Sequence, residues 1–132
     1  MKLNVKIEDI PFGANIQDVE VPDVLKKKVS TGLTYFDDAL GGLGFTPSMV
    51  TLFTGTPGAG KTSMMLTLAN NIAKSGNVAL FNTAEESLHQ IKMTTNRLRL
   101  REGFLVGAES HVPTLLAGCD KIREANPNKH FF

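Results

Sequence analysis

Eight consecutive residues restrict this chain more than anything else in it. Gly55-Thr56-Pro57-Gly58-Ala59-Gly60-Lys61-Thr62 reads as G-x-x-x-x-G-K-[ST], a pattern whose chemistry is the cradling of phosphate. A polyphosphate needs many hydrogen-bond donors at short range with no bulky side chain between them. Gly55, Gly58 and Gly60 allow turn conformations that a Cβ disfavours, so that main-chain N–H groups converge on one anion. Lys61 supplies a mobile charge for the outer phosphates, and the Thr62 hydroxyl is placed to ligate Mg²⁺. The expected phosphate-contacting set is Gly55, Thr56, Pro57, Gly58, Ala59, Gly60, Lys61, Thr62 and Ser63, at a helix N-terminus whose dipole and free amides favour an anion.

Such a loop requires a buried strand before it and a helix after it. The run Met49-Val50-Thr51-Leu52-Phe53-Thr54 is apolar and β-branched, as expected of a parallel strand covered on both faces. After the loop, Met64, Met65, Leu66, Leu68, Ala69, Ile72 and Ala73 form a broad apolar helical surface that closes at Ser75-Gly76. Asn77 to Asn82 carries no charge and predicts a second buried strand, which makes a βαβ unit with the first. The predicted fold is α/β, a mainly parallel sheet flanked by helices.

Glu85 and Glu86 fall just past the carboxyl end of that second strand, where ligands gather in open α/β sheets. A carboxylate there can orient and deprotonate a water that attacks a terminal phosphate. Capping of the following helix, which carries Leu88, Ile91, Thr95 and Leu98, is the blander role for the pair, and the two roles are compatible. That helix runs into Arg97-Leu98-Arg99-Leu100-Arg101. Favourable charge at a helix C-terminus explains these arginines without a phosphate contact. Residues 103–108 predict a third strand, and Pro113, Leu115, Leu116, Cys119 and Ile122 a helix to about Ala125. Cys119 lies on its apolar stripe and reads as a packed thiol. His89, His111 and His130 sit on different elements and read as structural or exposed. Phe131-Phe132 reads as the opening of a fourth strand.

The stretch before Val29 differs in character. Leu3, Val5 and Ile7 alternate with polar neighbours, but Pro11, Gly13 and Pro22 break any regular element beyond them, so residues 1–28 read as an extended arm and residues 29–132 as the core. Lys26, Lys27 and Lys28 read as a solvated basic face. The formal net charge of +1 gives no global field that would announce nucleic acid. One cysteine excludes an internal disulfide and a four-cysteine zinc site. Without an N-terminal apolar stretch, no membrane association is expected, and the cytoplasm is the expected compartment.

Val29-Ser30-Thr31-Gly32 with Asp37, the Leu40-Gly41-Gly42 turn, the loop from Gly55 to Thr62, Ala84-Glu85-Glu86-Ser87, Gln90-Ile91-Lys92 and Arg97-Leu98 together resemble the RecA-like P-loop ATPases. The likeness is greatest to the RadA/Sms recombination-protein branch, with DnaB-type helicases and KaiC-like ATPases as relatives. The resemblance covers roughly residues 29–132. It implies a three-layer αβα fold, ATP and Mg²⁺ as ligands, single- or double-stranded DNA as a partner, and a homo-oligomeric ring or filament. It puts the water-activating role on Glu85, with Glu86 as the near alternative, and gives Lys61 and Thr62 the phosphate and metal roles. The family's core continues into an apolar strand ending in aspartate. Phe131-Phe132 is where that strand would open and no candidate aspartate follows, so the chain is expected to hold the first part of the core, either as a fragment or as a shortened relative. A small-molecule P-loop kinase, with Arg97, Arg99 and Arg101 as its only lid arginines, and a non-catalytic nucleotide-binding or interaction remnant are the rival readings.

Overall fold

A computed structural model describes residues 10–132; the alternating Leu3, Val5 and Ile7 lie outside the described residues. The arm is not uniformly extended. Asn15 accepts from the Gln17 amide and starts a 3₁₀ turn, Ile16–Asp18, and a short helix α1, Asp23–Lys26, follows Pro22. Helix α2 spans Thr34–Ala39 and stops at Leu40, after which Gly41 (φ 91°) and Gly42 (φ 100°) reverse the chain. The chain then returns beside Val29, which pairs with Phe45 in an antiparallel bridge.

Helix α3, Lys61–Lys74, is the backbone of the core. Leu66, Leu68, Ala69 and Ile72 are buried along one face, Met65 faces solvent, and Ser75 with left-handed Gly76 ends the helix. That face packs against strand β1, Leu80–Asn82. Ala69, Ile72 and Ala79 form a cluster covered by Phe45, Phe104 and Phe132. Strand β1 pairs in parallel with β2, Leu105–Gly107, with Leu80 opposite Leu105 and Asn82 opposite Gly107. Helix α4, Leu88–Arg97, makes the crossover between them and buries Ile91 and Thr95. Helix α5, Val112–Glu124, leads from β2 to Phe131, which bridges in parallel to Val78 on the other side of β1. The architecture is thus a small α/β unit around a two-stranded parallel sheet.

The predicted strand at Met49–Thr54 does not form. Val50 is 95% and Leu52 85% exposed, and among the described residues the segment joins no ladder. An apolar, β-branched run fits a pleated surface only if a neighbouring strand offers donors and acceptors. Here the tie is a side chain: the Phe53 ring stacks on Phe36, centroids 5.4 Å apart and 4° from parallel, and Phe36 in turn meets Phe45 edge-on. The βαβ unit that does form is β1–α4–β2, one step further along the chain than expected.

Candidate functional site

Gly58 (φ 78°) and Gly60 (φ 88°) occupy the left-handed region, and Gly60 is the N-cap of α3. Gly55 does not, so two glycines rather than three carry the bend; a Cβ on Gly55 would make only ordinary contact with Ala59 and Lys61. Within the loop the Ala59 amide closes a turn onto the Thr56 carbonyl at 3.1 Å, and helical bonding begins with the Met64 amide on the Gly60 carbonyl. The amides of Gly58, Gly60, Lys61, Thr62 and Ser63 donate to no main-chain carbonyl among the described residues. Residues 55–60 are exposed and Lys61, Thr62 and Ser63 half-buried. Free amides at a helix start, backed by an ammonium, make a local positive field directed at solvent. Lys61 lies back over the loop, its Nζ donating to the carbonyls of Gly55 (2.8 Å) and Thr56 (3.0 Å).

The acidic pair separates. Glu86 is half-buried, and its Oε1 accepts from Thr62 Oγ1 at 3.3 Å; Glu85 is exposed. Neither caps α4, because Ser87 does so. Its hydroxyl accepts from the Gln90 amide (3.3 Å) while the Gln90 side chain accepts from the Ser87 amide (2.9 Å). Thr62 Oγ1 and Glu86 Oε1 put two oxygen donors side by side at the start of α3, a set that suits a hard cation such as Mg²⁺.

The geometry around these groups rests on residues that sequence patterning did not single out. Thr83 bridges the turn that leads to Glu86, accepting from the Glu86 amide (3.0 Å) and donating to the Glu86 carbonyl (3.1 Å). Asn82 laces the end of β1 to the loop after β2, donating to the Glu109 carbonyl at 2.9 Å and accepting from its amide at 3.0 Å. Two of the signals are visible in the sequence: Thr83-Ala84-Glu85-Glu86 is an S/T-x-x-E pattern, and Ser87 to Gln90 the S/T-x-x-Q pattern of a capping box. A second polar knot ties Ser30 and Thr31 to helix α2. Asp37 is buried and accepts from Ser30 Oγ (2.5 Å), Thr31 Oγ1 (2.6 Å) and the Thr31 amide (2.8 Å). Burial pushes this carboxyl up, but the bonds from Ser30 and Thr31 together outweigh it and hold it below the usual carboxylate range.

The remaining candidates stay apart from the loop's contacts. Only Arg97 belongs to the last turn of α4; Arg99 is past its end in the left-handed region, φ 57°. Cys119 is a half-buried free thiol on α5. His111 is the N-cap residue of α5, with its ring nitrogen 2.7 Å from Thr114 Oγ1. No group of three or more His, Cys, Asp or Glu converges among the described residues. A cleft of about 420 Å³ lies between α4 and β2, lined by Ile91, Lys92, Thr95, Arg101 and Phe104. Among the described residues no helix is long and apolar enough to cross a membrane.

A family profile described as "ATPase: KaiC" matches residues 29–100. Similar relatives include "DNA repair protein RadA" of Mycobacterium tuberculosis (strain CDC 1551 / Oshkosh), 38% identical over 100 residues, which are 74% of this chain and 20% of the relative. The protein of the same name from Mycolicibacterium smegmatis is 36% identical over 70% of this chain and 20% of its own length, and that from Campylobacter jejuni 39% identical over 63% and 18%. This chain spans about a fifth of the length of the curated relatives it matches. No solved structure matches it. With its glycine-bent loop, Lys61 and Thr62 inside the matched span, the chain belongs to the KaiC-type ATPase family of the RecA-like ATPases.

Proposed function

We propose that this chain is the nucleotide-binding part of a RecA-type ATPase that serves DNA recombination or repair, with a three-layer αβα core around a mainly parallel sheet. In this reading ATP lies along Gly55–Ser63 and is hydrolysed in the presence of Mg²⁺. The observation that carries the reading is the row of amides from Gly58 to Ser63 without main-chain acceptors, interrupted only at Ala59, at the start of α3 and beside Lys61. On binding, Lys61 exchanges the carbonyls of Gly55 and Thr56 for phosphate oxygens, which accept a charged donor more strongly. Thr62 Oγ1, with Glu86 beside it, would hold the metal ion. When bound, Mg²⁺ offsets charge on the β and γ phosphate oxygens and orients them. Glu85, exposed at the mouth of the turn, takes the proton of the attacking water as its oxygen bonds to the γ phosphorus and ADP leaves.

DNA enters this reading through the RadA relatives, whose name is "DNA repair protein", and single- or double-stranded DNA is the proposed partner. A homo-oligomeric ring or filament is the proposed assembly. The test is ATP affinity by calorimetry and phosphate release with and without DNA, in the chain and in Lys61→Ala. Loss of one charge-assisted contact predicts about tenfold weaker ATP binding in the variant. If neither protein binds ATP, the reading is wrong. Transfer of phosphate to a small molecule and not to water would favour the kinase instead.

A second reading has an observation of its own. The main chain of residues 49–54 joins no ladder among the described residues while Val50 and Leu52 face solvent, as in a module that pairs with another strand. Self-association that is independent of nucleotide would favour it, and a monodisperse monomer would count against it.

A further inference from the structure

Glu86 is the only carboxylate that the described contacts bring to the Thr62 hydroxyl, yet it sits on a turn and not on a strand or helix. Turn side chains hold one direction only if the main chain beneath them is fixed. Here the fixing falls to a single hydroxyl. Thr83 is buried, 8% exposed, and its own amide donates to the Gly107 carbonyl at 2.9 Å, which carries the β1–β2 pairing one residue beyond the strand end. From that anchored position Thr83 Oγ1 accepts the Glu86 amide and donates to the Glu86 carbonyl. Both main-chain polar groups of Glu86 therefore end on one oxygen tied to the sheet. On its far side, the Ser87–Gln90 capping box fixes the next residue to α4. Glu86 is thus clamped between two local motifs, and its carboxylate is the group left to project toward α3.

We infer that Thr83 is a positioning residue for the Glu86 carboxylate: its hydroxyl holds the main chain of Glu86 so that the side chain faces Thr62 and the start of α3. This inference rests on the ATPase reading for its catalytic consequence, but not for its geometry. The requirement is chemical. The group at 83 must accept and donate at once, which a hydroxyl does and a methyl cannot. Thr83→Val keeps the size and β-branching while deleting both bonds, and Thr83→Ser keeps both bonds.

Two measurements on the full chain test it, one of them free of nucleotide. In hydrogen exchange followed by NMR, Thr83→Val raises exchange of the Glu86 amide about tenfold, the loss of one hydrogen bond, while the amides of Leu66 to Ile72 stay protected. In phosphate-release kinetics, Thr83→Val lowers kcat about tenfold or more with KM for ATP within about twofold, because Lys61 and the free amides from Gly58 to Ser63 that would hold the phosphates are untouched while the carboxylate beside Thr62 is displaced. Thr83→Ser restores both. An unchanged Glu86 amide in Thr83→Val overturns the inference, as does a Thr83→Ser variant as impaired as Thr83→Val. If Thr83→Val exposes the α3 amides, Thr83→Ala takes its place; if both do, Thr83 holds the fold rather than the carboxylate and the inference falls. If the wild-type chain releases no phosphate, the ATPase reading fails on its own, and the exchange measurement alone decides the role of Thr83.

Discussion

Replacing Asp37 by alanine should destabilise the chain by about 2–3 kcal/mol, and the figure can be built from its three bonds. The Thr31 amide belongs to a residue with no exposed surface, so its loss of an acceptor costs about 1–3 kcal/mol. The two hydroxyls lose less, because each has somewhere to turn. Thr31 Oγ1 already lies 3.3 Å from the Leu33 carbonyl, and Ser30 is exposed to water, so each costs about 0.5–1 kcal/mol. Relief from burying a carboxylate returns part of that sum. Asp37→Asn keeps an acceptor for the Thr31 amide but turns an amide toward Ser30, and should cost about 1 kcal/mol. The pH dependence has a definite sign. The folded carboxyl titrates below its ordinary range, so its contribution is complete above the unfolded value and fades as pH falls through the folded one. Urea unfolding followed by circular dichroism at about pH 7, 5 and 3 should show a constant gap between wild type and Asp37→Asn at the upper two values and a smaller gap at the lowest. A gap unchanged at about pH 3, or an Asp37→Ala cost below about 0.5 kcal/mol at neutral pH, would refute the reasoning.

Other substitutions test other parts of the fold. Gly44 is buried with φ 92°, and a Cβ there would run into the main chain of Val29 and Ser30; Gly44→Ala should cost more than about 2 kcal/mol in the same unfolding assay, and a wild-type midpoint would show that the Val29–Phe45 bridge does not bring the two chains that close. Ser87→Ala removes the cap of α4 and should lower stability by about 1 kcal/mol, with increased amide exchange confined to the first turn of that helix. Leu66 has no exposed surface, so Leu66→Ala should cost about 3 kcal/mol and lower the thermal midpoint by more than the cap variant does.

What was legible in the sequence was what local chemistry decides. The left-handed glycines before Lys61, the stop at Gly76 and the Pro113 start of α5 each act through their own backbone, and the helices lie within a residue or two of where those signals put them. Strand existence depends on partners far along the chain. Asn77–Asn82 and residues 103–108 found each other and became β1 and β2, though each pairs over only three residues. Met49–Thr54, with the stronger β-forming composition, found no partner among the described residues and stayed open. Direction was also beyond reach. Two adjacent glutamates look equivalent as letters, and only the Thr83 turn makes Glu86 the one that meets Thr62. Asp37 carried a motif position, but its burial with Ser30 and Thr31 could not be read from spacing.

With a sheet this small, the site's rigidity has to come from side chains that act as main chain. Two consecutive asparagines in α3 show how. Asn71 donates to the Thr31 carbonyl at 2.9 Å, which joins the helix to the Asp37 knot, and Asn70 accepts the Glu102 amide at 3.0 Å, which joins it to the turn before β2. The two contacts lie 40 and 32 residues away in sequence and tie α3 to two separate parts of the chain, so together they resist rotation of the helix about its axis, which apolar contacts alone restrain weakly because they have no direction. Rotation matters here because the loop amides and Thr62 point wherever the first turn of α3 points. Asn71→Leu therefore should keep much of the packing area yet loosen the loop. The expected signature is faster exchange of the Ala59 and Met64 amides, which bond to the Thr56 and Gly60 carbonyls, with α3 protection from Leu66 onward retained, and an Asn71→Leu variant with unaltered exchange at those two amides would show that packing alone sets the helix.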